Sequence, residues 1–303
     1  MKAIAGRFSK VFLKMFYALL LLFYMNRPLS GDPLCDSKIS INVDPICIGQ
    51  GKTLIITIES KNLLKNLHGR FQNKKIDFFL MAKSSVYHYR GIFGISIKTP
   101  PDIYKIKIFF ADNGEKIFLQ SASIEVKKVN FPATKLSIPK VKRKLLDSDF
   151  IEDEADIIKK TLLESEERQL WDEKFIFPAK GKISSSFGAY RVYNDGSSSW
   201  HHRGIDIANK ENTKIYAPNN GKIVLSRSFM VHGETIIIDH GQNIFSILCH
   251  LKRRLKKIGE YIKKGEVVGF LGQTGLSTGP HVHWSICVGE VRVDPVEWTM
   301  RKL

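Results

Sequence analysis

Hydrophobic and polar positions alternate with period two along much of the chain. Residues 53–58 (TLIITI), 75–80 (KIDFFL), 104–110 (YKIKIFF) and 124–129 (IEVKKV) are rich in β-branched and aromatic side chains. Gly, Asn and Pro signals such as 99–102 (TPPD) and 112–114 (DNG) separate them. Short strands at that spacing predict a small β-sandwich-like domain over residues 36–130. Residues 131–147 (FPATKLSIPKVKRKLLD) carry two prolines and a basic run and read as a linker. The period then changes. Ile151, Ala155, Ile158, Leu162 and Leu163 recur at helical spacing behind a crowd of acids. This predicts an amphipathic helix starting near Ser148 or Asp149, its acids at the positive N-terminal end, so that 131–174 is linker plus helix. From residue 175 the period of two returns over 182–187, 214–217, 221–225, 235–239, 245–250, 267–270 and 281–288. No long helix intervenes, which predicts an antiparallel β domain over 175–299. The fold class is therefore mostly β: an N-terminal sandwich-like domain, a connecting helix and a C-terminal antiparallel β domain.

The first residues have a different pattern. Lys2, Arg7, Lys10 and Lys14 precede the apolar run 15–25 (MFYALLLLFYM), and small residues follow near Ser30 and Gly31. That is the pattern of a secretory signal over 1–31. The run is short for a bilayer span, which takes about 20 residues; an uncleaved anchor is the competing reading, and membrane contact is expected only through it. Export to a periplasm or cell envelope follows. Cys35 and Cys47 are then close enough in sequence for a disulfide in an oxidising compartment. Cys249 and Cys287 read as small core residues, and the absence of any CxxC pair argues against a structural zinc knuckle.

The formal net charge is +17; without the five positive residues of the leader it is +12. Such an excess attracts anionic polymers, although a Lys-rich composition accounts for it equally well. The positives are scattered apart from Lys252-Arg253-Arg254 and Lys256-Lys257, with no aromatic stacking motif, so nucleic acid is not expected as a partner. The basic run at 252–257 is a candidate for steering toward an anionic polymer.

Candidate chemistry lies in three histidine-bearing segments. In a strand, His281 and His283 share one face while Val282 and Trp284 point to the other, into packing. His202 and Asp206 are four apart with Gly204 between them, where small size lets the chain bend close to a ligand. His202, Asp206 and His283 together make three protein ligands of types suited to zinc, leaving a further position open, as catalytic zinc sites do. His201 is a bystander. His68 and His88 read as surface or loop histidines. His232 and His240 read as non-catalytic, the latter in an Asp-His-Gly turn signal. Arg203 and Asn194 are candidate groove residues.

The segments HHRGID, DHGQNIFSILCHL and TGLSTGPHVHW, in this order, resemble the three signatures of the lysostaphin/LytM-type zinc metallopeptidases. The likeness covers about 175–299. It implies Zn²⁺ held by His202, Asp206 and His283, with His281 and His250 as catalytic histidines. It implies a peptidoglycan substrate and an endopeptidase that cleaves its peptide cross-links. In the family, Tyr-x-His-Leu-Ser surrounds the second catalytic histidine; here the chain reads Leu248-Cys249-His250-Leu251-Lys252, a departure that bears on substrate fit. GRFQNKKIDFF and VKKVNFPATKLSIP resemble the accessory β domain of some Gram-negative members, which favours a D-alanyl cross-link over a glycine bridge. Some relatives have lost their metal ligands and act as silent regulators; that alternative predicts broken ligands. The helix near 149–170 is a candidate restraint on the groove. Oligomeric state is open.

Overall fold

The computed structural model describes residues 39–112, 115–146, 148–193, 196 and 198–302. The predicted leader, Cys35 and Asn194 lie outside the described residues. The first part is two sheets over one core. An antiparallel sheet runs Ser40–Asp44, Thr53–Ser60, Tyr87–Gly94, Phe79–Lys83. A five-stranded sheet runs Cys47–Gly49, Glu115–Lys127, Asp102–Asp112, Lys65–Phe71, Lys74–Asp77. Alternation sets the core: Leu54, Ile56 and Ile58 from one sheet meet Ile106, Ile108, Ile124 and Val126 from the other. The strand expected over 75–80 is two strands in different sheets. Phe78 turns the chain between them, its ring against Gly69 and Gly91, where any Cβ would crowd it. His68 and His88 are strand residues rather than loop residues; His68 stacks on Phe109 and His88 faces Glu59.

The second part is built on a ten-stranded sheet. Its main path runs Lys182–Ser185, Ile205–Ala208, His281–Val288, Ile244–Arg254, Glu234–Gly241, Gly221–Ser228, Tyr261–Ile262. Neighbours along it are antiparallel. Its two faces separate by parity. Ile236, Ile238, Leu248, Val282, Trp284 and Ile286 fill the larger core. Ile237, Phe245, Ile247, Cys249 and Cys287 fill a second one, which Ile158 and Leu162 of the linker cover. Trp284 is core as expected, and so are both cysteines.

The linker is more structured than its composition suggests. Ala133–Leu136 is a strand that pairs parallel with Tyr190–Tyr193, which pairs antiparallel with Ser198–His201. Lys140–Leu146 is a 3-10 helix. The amphipathic helix is Ser148–Thr161, shorter than expected; just beyond it Leu162 is buried while Leu163 faces solvent, 64% exposed. Three cations of the basic run are paired: Lys252 with Glu211, Arg254 with Glu234 and Lys256 with Glu266, while Arg253 lies over the Phe270 ring. That neutralises much of its steering field. No helix among the described residues is long and apolar enough to cross a membrane.

The two parts join at the short helix Pro295–Met300, whose N-cap Asp294 accepts Val296 N–H at 3.0 Å. Trp298 Nε1 donates to Thr53 Oγ1, Glu297 accepts Thr53 N–H, and Lys52 pairs with Asp294 at 2.8 Å. The Thr53 N–H and hydroxyl are thus met by this helix, and its carbonyl accepts from Arg301 just beyond it. Trp298, 1% exposed, belongs to the larger core. Replacing Trp298 by Ala is expected to cost about 3–5 kcal/mol; denaturant unfolding followed by circular dichroism reads this, and a loss under about 1 kcal/mol would mean the joint relaxes around the gap.

Candidate metal centre

Strands Ile205–Ala208 and His281–Val288 are direct neighbours, with Asp206 opposite His283 and Ala208 opposite His281. The loop before Ile205 returns His202 to the same end. Gly204 permits this: a Cβ there would lie 2.4 Å from the Trp284 carbonyl and 2.7 Å from the His283 ring. His202 and Asp206 are buried, and His283 is partly so. His202 Nε2, Asp206 Oδ1 and His283 Nδ1 lie 2.9–3.0 Å from one another.

Hydrogen bonds decide where the protons are. His202 Nδ1 donates to the Ser186 carbonyl at 2.9 Å, so its Nε2 carries the lone pair. Ser285 Oγ donates to the Arg203 carbonyl at 2.8 Å and therefore accepts from His283 Nε2, which leaves the lone pair on Nδ1. Three lone-pair atoms converge with no proton between them. Burial pushes the His283 pKa down to about 3, so this ring is neutral at neutral pH. A carboxylate and two neutral imidazoles aimed at one point suit one metal ion and are mutually repulsive without a cation.

Two further imidazoles border this group. His281 Nδ1 donates to the Gly279 carbonyl at 2.8 Å, and its Nε2 lies 3.7 Å from Asp206 Oδ1. His250 Nδ1 donates to the Thr274 carbonyl at 2.8 Å. Their ring centroids are 4.8 Å apart. Burial, with His281 and His283 nearby, pushes the His250 pKa well below the ordinary histidine value. In the neutral form each ring thus carries its lone pair on Nε2. His250 also has φ +62°, in the left-handed region that non-glycine residues avoid.

All five site residues expected from the sequence come together. His201 does not join them: its Nδ1 donates to the Gly188 carbonyl and its ring packs on Phe131 and Tyr190. Arg203 contributes its carbonyl to the Ser285 relay. His240 is wholly in the core, donating to the Asn220 carbonyl and accepting from Ser246. Sequence reasoning missed Arg191. Its guanidinium donates to Asp206 Oδ2 and to Ser185 Oγ, which leaves Oδ1 turned toward the histidines. Only its alternation within Tyr190–Tyr193 could have hinted at an inward residue.

The fold and the site define a class: an antiparallel β domain that can hold one metal ion on a His–Asp–His face beside two further histidines. Residues 200–295 match the model of peptidase family M23. It is 33% identical over 114 residues to the peptidoglycan DD-endopeptidase ShyC of Vibrio cholerae, a match spanning 38% of this chain and 26% of that protein. It is 34% identical over 115 residues to the DD-carboxypeptidase/endopeptidase Mpg of Neisseria meningitidis, spanning 38% and 26% respectively. The chain thus spans about a quarter of the length of these relatives. A peptidase M23 crystal structure from Pseudomonas aeruginosa shares the fold with TM-score 0.59 and 23% identity, over 82% of this chain and 93% of that one.

Two outcomes follow from this geometry. Arg191→Ala is expected to weaken metal binding roughly 10–100-fold, as loss of a residue orienting a ligand does; chelator competition reads it, and unchanged affinity would remove Arg191 from the site. Burial also depresses the His240 pKa from 6.5 to about 4. The unfolded chain then binds the extra proton between those values. His240 stabilises the fold fully above pH ~6.5, and that contribution, about 3 kcal/mol, is lost as pH falls toward ~4. In metal-loaded protein, His240→Gln should flatten the fall in stability over this window, and an unchanged slope would contradict it.

Proposed function

We propose that this chain is a zinc-dependent endopeptidase that hydrolyses peptide cross-links of bacterial peptidoglycan, acting outside the cytoplasm in the periplasm or envelope. In this reading residues 36–130 are an accessory β domain and 175–299 the catalytic domain. The observation that carries the proposal is the convergence of three ligand atoms, from His202, Asp206 and His283, beside the Nε2 atoms of His281 and His250, whose Nδ1–H groups are held by backbone carbonyls. The names of the relatives support peptidoglycan as substrate and a bond between D-amino acids as the one cut. The complete residue set speaks against a silent regulator.

His202, Asp206 and His283 would hold the ion, and zinc bound there polarises the scissile carbonyl and makes water nucleophilic near neutral pH. The two imidazoles divide the proton traffic. One ring accepts the proton of the attacking water at Nε2; the other, its Nδ1–H already committed to a carbonyl, donates to the developing oxyanion or the departing amine only once its own Nε2 is protonated. Carbonyls of Gly279 and Thr274 fix each ring in the tautomer that leaves Nε2 available. Arg191 keeps Asp206 from rotating.

The test is a digest of purified cross-linked peptidoglycan, with fragments identified by mass spectrometry. Wild-type protein should release peptide fragments in a chelator-sensitive manner. His281→Ala should lower the rate at least ~100-fold and keep its zinc; His283→Ala should lose both. Release undiminished by chelator, or metal loss from a folded His281→Ala protein, would sink the assignment.

A further inference from the structure

The helix Ser148–Thr161 lies outside the M23 match at 200–295, yet it reaches the second catalytic histidine. Its apolar stripe contains a carboxylate. Glu154 is one turn from both Ile151 and Ile158 and is 5% exposed. The helix covers the sheet face to which His281 and His283 belong by parity with Cys287.

Glu154 is spent entirely on one loop. It accepts Val231 N–H at 2.7 Å, His232 N–H at 3.0 Å and His232 Nδ1–H at 2.6 Å. Burial disfavours its charge, but His232 and these backbone donors hold its pKa below the ordinary glutamate value. The loop passes the constraint on. The His232 carbonyl accepts the backbone N–H of His250 at 2.9 Å. The Val231 carbonyl accepts Leu276 N–H at 2.8 Å. That second bond locks the loop to the 272–277 turn, where the Thr274 carbonyl holds His250 Nδ1. Glycines 233 and 275 let the two loops touch: a Cβ on Gly275 would lie 2.4 Å from the Val231 carbonyl. His250 is therefore gripped at its backbone and at its ring by two loops that share one anchor. A residue at φ +62° stays there only when its surroundings fix it.

We propose that Glu154 is a positioning residue for His250, and that the linker helix is a working part of the catalytic site rather than a restraint on it. The proposal rests on the endopeptidase reading for its kinetic consequence and on the loop geometry for its structural one. Lys142, in the preceding 3-10 helix, acts in the same sense: its Nζ donates to the Gln273 and Ser277 carbonyls, both at 3.0 Å, bracing the loop that leads to His281.

Glu154→Ala, Glu154→Gln and a control, Leu162→Ala, in the full chain test it. Leu162 is on the same segment, 5% exposed, and touches only the apolar core face among its described side-chain neighbours. At a temperature where all remain folded, Glu154→Ala should lower kcat at least ~10-fold, the scale of a displaced general base, with KM and zinc content near wild type. Glu154→Gln, which keeps one acceptor, should fall between. Amide hydrogen exchange read in the same proteins needs no turnover: peptides covering 229–233, 248–251 and 273–277 should exchange faster in Glu154→Ala and as in wild type in Leu162→Ala. Wild-type exchange in Glu154→Ala, wild-type or higher kcat, or an equal kcat loss in Leu162→Ala overturns the proposal; a raised kcat marks the helix as a restraint. If wild type itself cleaves nothing, the endopeptidase reading fails, and the exchange result alone decides whether Glu154 holds His250.

Discussion

The structure depends on a local repulsion that it holds in place. Three atoms with lone pairs, His202 Nε2, Asp206 Oδ1 and His283 Nδ1, are kept 2.9–3.0 Å apart with no proton to share. Such an arrangement persists only if each ring is fixed from behind and a cation compensates from the front. The fixing is visible: the Ser186 carbonyl behind His202, the Ser285 hydroxyl behind His283, Arg191 behind Asp206. Each of these partners sits on a strand or at a strand end, so the sheet register itself sets the metal geometry. Slipping the Ile205–Ala208 strand by one residue against His281–Val288 would turn Asp206 to the opposite face and remove the site while leaving the hydrogen-bond ladder whole.

His281 and His250, the proposed catalytic pair, are held differently from the three proposed ligands. His281 continues a strand and needs only the Gly279 carbonyl to set its tautomer. His250 sits where the pairing of Glu234–Gly241 with Ile244–Arg254 shifts register, with Ile236 opposite Leu248 but Glu234 opposite Leu251. The extra residue in that bulge is what aims the ring toward the metal group, and its left-handed backbone is the local cost. Sheet pairing cannot fix a residue that the ladder skips. Loops have to do it, and those loops are tied to a helix from outside the peptidase match.

This difference explains what could be read in the sequence. Parity in regular strands needs no tertiary knowledge, so His281 with His283 on one face, Trp284 on the other, and the cysteines in the core were all legible. The H-x(3)-D pair was legible because Gly204 marks a close approach. Arg191 was not, because its strand forms only against Ala133–Leu136 and Ser198–His201, and a pairing partner in a Pro-containing linker has no local signature. The linker strand and the split at Phe78 were missed for the same reason: each is decided by which surface remains to be covered. Glu154 is the intermediate case. A carboxylate inside the stripe Ile151, Ala155, Ile158, Leu162 is anomalous from the sequence alone, though its three donors lie 77 or 78 positions away.

The joint at Pro295–Met300 fits the same logic of shared constraints. This helix follows Val291–Val293, which pairs with the far end of the strand that begins at His281. Its Trp298 and Glu297 meet Thr53, the first residue of a strand in the sandwich-like part. One strand, His281–Val288, therefore carries two histidines of the candidate site at its start and leads at its end to the contact with the N-terminal sheets. Between the two lie Trp284 and Ile286, both fully buried. Dense packing transmits displacement poorly as bending but well as a rigid shift. A disturbance at the joint should thus reach the histidines only if it moves the whole strand, and the antiparallel neighbours on both sides of that strand oppose such a slide. The sandwich-like part is coupled to the site through a rigid element, and the linker is coupled to it through loops.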